Sequence, residues 1–281
     1  MSRVSIALLL AVSLLPTLAG LIAALWLGID ADGLQRVLAT PGIGLSMASS
    51  LWTGVVATLI SLLLAHLALA LAFTGGWRHR LTTLSLPLLA VPHLAIGIGL
   101  ALLLAPSGLL LRLLSPWATG LAQPPDWFIV QDPFGLSLMA GLVIKESCFI
   151  VLILSAALTQ VPAARLLQQA RTLGYGALKG WMMVVAPALQ QQIRLPLAAV
   201  LVFGISNVEM AIPLGPDLPP AFAVQLWRWF TDADPAIQLQ AYTGSLLLLM
   251  MNLIALGGWG LAGRAIGRFR VRQAGMGRRR R

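Results

Sequence analysis

Charge is what this sequence has least of. Only 10% of its 281 residues are charged and 58% are hydrophobic, whereas soluble domains carry roughly 25% charged and about 45–50% apolar residues. A chain this poor in charge cannot cover a water-facing surface, which excludes a soluble enzyme. Cysteine is nearly absent. The single Cys148 sits in an apolar run, so neither a disulfide framework nor a zinc spacing is available, and packing is its simplest role. Lysine is nearly absent as well. Lys145 and Lys179 are the only two, and neither follows the G-x-x-x-x-G that a phosphate-cradling loop needs. No ATPase site is therefore expected in this polypeptide. His66, His79 and His93 are widely separated, with no clustered acids; they give no metal signal, and no cofactor is expected. The bland readings are a helix-contact role for His66, a surface position for His79 and a kink or gate element for His93.

Long apolar runs are what the sequence has in abundance. A bilayer core takes about 20 apolar residues per helical crossing. The runs leave room for six: Ser5–Gly28, Ser46–Phe73, Thr82–Ala105, Gly135–Leu158, Leu195–Leu214 and Gln240–Ala262. The fold class expected is an all-α membrane protein, with one transmembrane domain over residues 1–281. The first run is longer than the roughly 7–15 residues of a secretory h-region and is expected to stay in the membrane.

Orientation follows from Lys and Arg. With the N-terminus inside, the cytoplasmic flanks hold Arg3, Arg78, Arg80, Arg165, Arg171, Lys179, Arg194 and eight arginines from Arg264 onward. The outer side then holds only Arg36, Arg112 and Arg228. Asp30, Asp32, Asp126, Asp132, Asp217, Asp232 and Asp234 all fall outside. Both termini are therefore expected in the cytoplasm. The net charge of +10 reads as basic cytoplasmic flanks, with no nucleic-acid partner, and the tail 264–281 as attracted to anionic lipid. Trp26, Trp117, Trp127, Trp227, Trp229 and Trp259 lie near segment ends, where indoles anchor at the interface. Two longer outer stretches, Pro106–Phe134 and Gly215–Ile237, are interrupted by prolines, and the second carries "FAVQLWRWF", a short amphipathic helix.

The inside connection Thr159–Arg194 is unusual in mixing helix formers with Gly174, Gly176, Gly180 and Pro187. Pro162 suits the first turn of a helix running toward Leu173. Gly174 and Gly176 permit a tight turn, because glycine tolerates positive φ. A second helix, Ala177–Val185, carries Leu178, Trp181, Met182 and Val185 at helical spacing. Such a helix–turn–helix with an apolar stripe suits a groove on another protein.

The run "QQARTLGYGALKGWMMVVAP" resembles the cytoplasmic EAA signature of permease subunits of bacterial binding-protein-dependent ABC importers. Gln168, Gln169 and Ala170 stand at the E-A-A positions and Gly174 follows at the expected spacing. Val184, Ala186 and Pro187 stand at the I, L and P of the closing I-x-L-P. Gln168 replaces the acid, Gln169 an alanine and Ala186 a leucine. Six crossings with the signature between the fourth and fifth is also that family's layout, that of the type I permease fold. The segments "LAPSGLLLRLLSPWATG", "PPDWFIVQDPFG" and "GLVIKESCFIVLILSAALTQVP" look most like a branch grouped with thiamine and ferric-iron importers. The resemblance implies that the loop around Gly174 couples to a separate cytoplasmic ABC ATPase. It also implies a periplasmic substrate-binding protein at the outer face and a second permease copy or paralogue, all in the bacterial inner membrane.

Inside the apolar segments, Lys145 and Glu146 lie mid-way along the fourth. A charge at mid-bilayer costs roughly 2.5–3.5 kcal/mol on insertion scales, so both are expected to face protein or water, with Glu209 as the candidate partner of Lys145. Asn207 and Glu209 precede Pro213 near the outer end of the fifth. Lys145, Glu146, Asn207 and Glu209 are the candidate pathway residues, with a clamp between helices as the alternative role. An ion-coupled secondary transporter or channel is the competing function. It also uses intramembrane acids and interrupted helices, but it has no need of the coupling-loop spacing.

Overall fold

The computed structural model describes residues 3–278, and apart from one isolated β-bridge they form helices and turns. In chain order the α-helices are α1 (Arg3–Gly28), α2 (Ala31–Ala39), α3 (Ile43–Thr74), α4 (Arg78–Ala90), α5 (His93–Leu104), α6 (Leu109–Leu114) and α7 (Leu136–Ala157). Then come α8 (Ala163–Thr172), α9 (Ala177–Gly180), α10 (Ala186–Gln192), α11 (Arg194–Ile205), α12 (Ala211–Leu214), α13 (Phe222–Phe230) and α14 (Pro235–Arg278). A π-helical segment, Trp181–Val185, joins α9 to α10. Of the basic tail at 264–281, residues 279–281 lie outside the described residues, as do the side chains of Arg3 and of positions beyond 265.

Among the described residues, four helical stretches are long and apolar enough to cross a membrane: Ile43–Thr74, His93–Leu114, Leu136–Gln160 and Pro235–Ala265. The number rises to six if two bent pairs each count as one span. These pairs are Leu14–Gly28 with Ala31–Ala39, bent by 90°, and Ala177–Gln192 with Arg194–Ile205, bent by 81°. Large apolar side chains stand outward along them, including Leu15 at 62%, Leu71 at 56% and Ile254 at 69% exposure. Water penalises such surface and lipid does not.

The contacts divide the chain into two units. One comprises residues up to 47 and from 222 onward. Within it, α1, α2 and α13 all pack on α14. Asp30 caps α2 by accepting the N–H groups of Asp32 at 3.2 Å and Gly33 at 2.9 Å, and Arg36 pairs with it at 3.0 Å. The amphipathic helix expected from "FAVQLWRWF" is α13, and its Leu226 and Trp229 lie against Gly244 of α14. Trp229 is thus 6% exposed, a packing residue where an interfacial anchor was expected.

The other unit, residues 48–221, is built around the buried side of α7. Asp132 starts that helix: its carboxylate accepts the backbone N–H groups of Leu136 at 2.8 Å and Ser137 at 2.9 Å, offsetting the positive end of the helix dipole. This acid is 5% exposed, a cap more than a loop charge. α3 and α11 approach so closely at Gly54 and Gly204 that a Cβ on Gly54 would stand 2.5 Å from the Ile205 nitrogen, a contact only glycine allows. Two buried threonine hydroxyls of α3 return to its own carbonyls, Thr53 to Ser49 at 2.8 Å and Thr58 to Gly54 at 2.7 Å.

The third and fifth apolar segments are broken, the third at the place where a kink or gate element was expected. Pro92 separates α4 from α5, and residues 206–210 separate α11 from α12. The 12 residues of α11 reach roughly 18 Å at 1.5 Å per residue, short of a bilayer core of about 30 Å.

Candidate functional site

Two places in the second unit gather the residues singled out in the sequence. The first is the break at Pro92. Proline carries no N–H, so the Leu88 carbonyl loses its α-helical donor, and Val91, held extended by the following proline (φ −70°, ψ 129°), turns the chain away. A helix end leaves its last carbonyls unmet, and here the surroundings are apolar. Lys145 of α7 fills the gap. Its Nζ donates to the carbonyls of Leu88 at 2.9 Å, Leu89 at 3.1 Å and Val91 at 2.6 Å. Three donors meet three acceptors, which is the full capacity of an ammonium group. Lys145 is 2% exposed, and its charge sits at the negative end of the α4 dipole.

Glu146, the next residue on α7, takes the other side of the break. Its Oε1 lies 3.8 Å from Nε2 of His93, the first residue of α5, where the helix dipole favours an anion. The His93 ring also leans on Phe203 of α11, centroid to centroid 4.7 Å. Adjacent residues of α7 thus serve the two ends of one interrupted helix. Lys145 does not pair with Glu209, the partner expected from sequence: its donors go to carbonyls, and Glu209 is exposed on the 206–210 break. Asn207 in that break is buried, and its Oδ1 accepts the Met210 N–H at 2.9 Å; its Nδ2 has no partner among the described residues.

The second place is the connection between α7 and α11. Pro162 opens α8 as expected. Gly174 makes the turn with φ +80°, a conformation that strains any residue with a Cβ, and the Tyr175 N–H returns to the Ala170 carbonyl at 3.0 Å. Gly176 does not share that role. Its φ is −64° and it caps α9. Ala170 is buried, and a Cβ on Gly180 would come within 3.0 Å of its methyl, so two small residues close the α8–α9 hairpin. Gln168, Gln169, Leu173, Gly174 and Gly176 are exposed, Val184 and Pro187 half-buried and Ala186 buried.

The apolar stripe is divided: Trp181 and Val185 go inward, contrary to the expectation that the stripe faces a foreign groove, whereas Leu178 stays exposed. Trp181 and Val185 are fully buried. The Trp181 ring lies 5.6 Å from that of Phe73, and its Nε1 donates to Nδ1 of His66 at 3.4 Å, both partners on α3. The backbone widens into the π segment just before Pro187 because that proline has no N–H for the Met183 carbonyl and its ring crowds the turn. Sequence reading missed Leu173, 74% exposed at the tip. Its position beside the one glycine with positive φ in the loop was the available signal.

No protein-family model matches the chain. It is 31% identical over 220 residues to the inner membrane ABC transporter permease protein YnjC of Escherichia coli (strain K12). The chain is a relative of an ABC transporter permease. The match covers 77% of this chain but only 40% of the relative, so the chain spans less than half the length of the curated protein that it matches. Helices and turns with four to six candidate spans among the described residues fit this similarity to a membrane permease.

Proposed function

We propose that this chain is the membrane-spanning permease subunit of an ATP-driven importer of the type I permease fold. It crosses the inner membrane six times, with both termini cytoplasmic. A periplasmic binding protein delivers a small solute at the outer face, and a second permease copy or paralogue completes the pathway. The relative fills less than half of its own length with the matched region, which leaves room there for a second such half. Lys145, Glu146, Asn207 and Glu209 surround the two broken helices that line or brace the pathway. Gln168, Gln169, Ala170, Gly174, Gly176, Val184, Ala186 and Pro187 form the knuckle that engages a separate ATPase.

One observation carries this reading: in a chain similar to an ABC permease, the connection at 159–194 folds as a hairpin with an exposed tip at Leu173–Gly174 and a base sealed onto α3 by Trp181. A rigid lever anchored at one end and bare at the other is what transmission of an ATPase stroke requires. The test is co-purification. The full chain is co-expressed with each tagged ABC ATPase of its source genome, as wild type and as Gly174→Val. A branched residue at φ +80° costs roughly 1–2 kcal/mol and rebuilds the tip. One ATPase is expected to co-elute with the wild type, with recovery at least tenfold lower for the variant. Equal recovery from both, or none from either in the presence of any permease homologue encoded in that genome, would falsify the coupling role.

A further inference from the structure

The outer face of the knuckle has a charge of one sign. Between Glu146 and Glu209 the sequence contains no aspartate or glutamate. Within the hairpin, Arg165, Arg171 and Lys179 are all exposed, and among the described residues none of the three is in an ion pair. Gln168 and Gln169, also exposed, add hydrogen-bonding capacity without charge. The opposite face is already spent: Ala163, Leu167, Ala170, Gly180, Trp181 and Val185 are buried within the chain. What remains outside is an apolar centre, Leu173 at 74% and Leu178 at 45% exposure, with Arg171 and Lys179 flanking those leucines in sequence. The Lys179 Nζ is held 5.2 Å over the Tyr175 ring, which limits its freedom before any partner arrives. An apolar centre with a charged rim is the composition of a protein interface.

We infer that this face docks into an ATPase groove lined by acidic side chains, with Leu173 seated in an apolar slot at its floor. The inference rests on the coupling role proposed above and adds the chemistry of the partner. A groove presenting arginine or lysine to the position of Gln168 would find no acid on this loop to meet it. It would also face three cations, and like charges across an interface oppose association. The positive-inside bias alone places basic residues near the membrane; it does not ask for an exposed leucine between them.

The experiment measures the affinity of the full chain, in neutral detergent without anionic lipid, for the co-purifying ATPase. Four proteins are compared: wild type, Arg171→Glu/Lys179→Glu, Arg171→Gln/Lys179→Gln and Gly174→Val, each checked for a monodisperse profile. The expected result is about a tenfold or greater loss for the double reversal and a smaller loss for the neutral pair. Wild-type affinity is expected to fall as salt screens the rim. If the reversal stays within about twofold of wild type while Gly174→Val still releases the ATPase, coupling stands and the acidic groove is wrong. If the reversal acts only in anionic nanodiscs and not in detergent, the face belongs to lipid and the inference falls. If neither the reversal nor Gly174→Val changes binding, or no ATPase binds, the coupling role fails and takes the inference with it.

Discussion

Lys145→Met is expected to lower the melting temperature of the detergent-solubilised chain by roughly 10 °C, or to abolish its recovery from membranes. The side chain length is nearly kept, so the loss is of charge and donors. Three carbonyls, of Leu88, Leu89 and Val91, then have no partner in surroundings where water is scarce. Leaving a buried acceptor unmet costs about 1–3 kcal/mol, and each kcal/mol moves the midpoint by about 2–4 °C in a chain of this size. Lys145→Arg keeps the charge but brings a planar fork in place of three radiating donors, and an intermediate loss is expected. Glu146→Gln is the informative companion. It removes a carboxylate whose contact with His93 is long, 3.8 Å, and a much smaller loss than that of Lys145→Met is expected. Thermal unfolding followed by circular dichroism checks all three. A Lys145→Met protein as stable as wild type would show that the carbonyls are met in some other way.

The second large effect is at Trp181. Trp181→Ala removes a fully buried indole from between the π segment and α3, and deletions of buried aromatic rings cost about 3–5 kcal/mol. The hydrogen bond to His66 is long at 3.4 Å and worth about 1 kcal/mol or less, so packing dominates. Trp181→Phe is therefore expected to retain most of the stability, and His66→Ala to lose less than Trp181→Ala. The loss is local. Limited proteolysis of Trp181→Ala is expected to cut within 163–192 at least tenfold faster than in wild type. Cleavage spread evenly over the chain would instead point to a general loss of fold.

Much of this was legible in the sequence, and the failures share one physical cause. The runs at Ser46–Phe73, Gly135–Leu158 and Gln240–Ala262 lie within or nearly coincide with observed helices, because their length and apolarity are local properties. The break in the third run was legible as a kink or gate element at His93, but what meets the carbonyls it frees was not. Pro87 and Pro92 are both prolines in an apolar run, yet α4 continues through the first and ends at the second. What distinguishes them is a lysine on another helix that satisfies the carbonyls freed at Pro92. A rule about neighbours in sequence cannot see it. Gly174 was legible because its requirement is local, a positive φ, whereas Gly176, read in the same way, adopts an ordinary one. The stripe Leu178, Trp181, Met182 and Val185 was legible as a stripe. Its destination was not, since His66 and Phe73 lie more than 100 residues earlier in the chain.

The most direct measurement of the proposed coupling is cross-linking from the tip of the hairpin. In a Cys148→Ser background, a single cysteine replaces Leu173 at the tip or Trp117 in the loop assigned to the outer face, and each protein is purified with the ATPase and treated with a short thiol cross-linker. The coupling role predicts an adduct with the ATPase from position 173 and none from position 117. An adduct from 117 with none from 173 would contradict both the coupling surface and the assigned orientation.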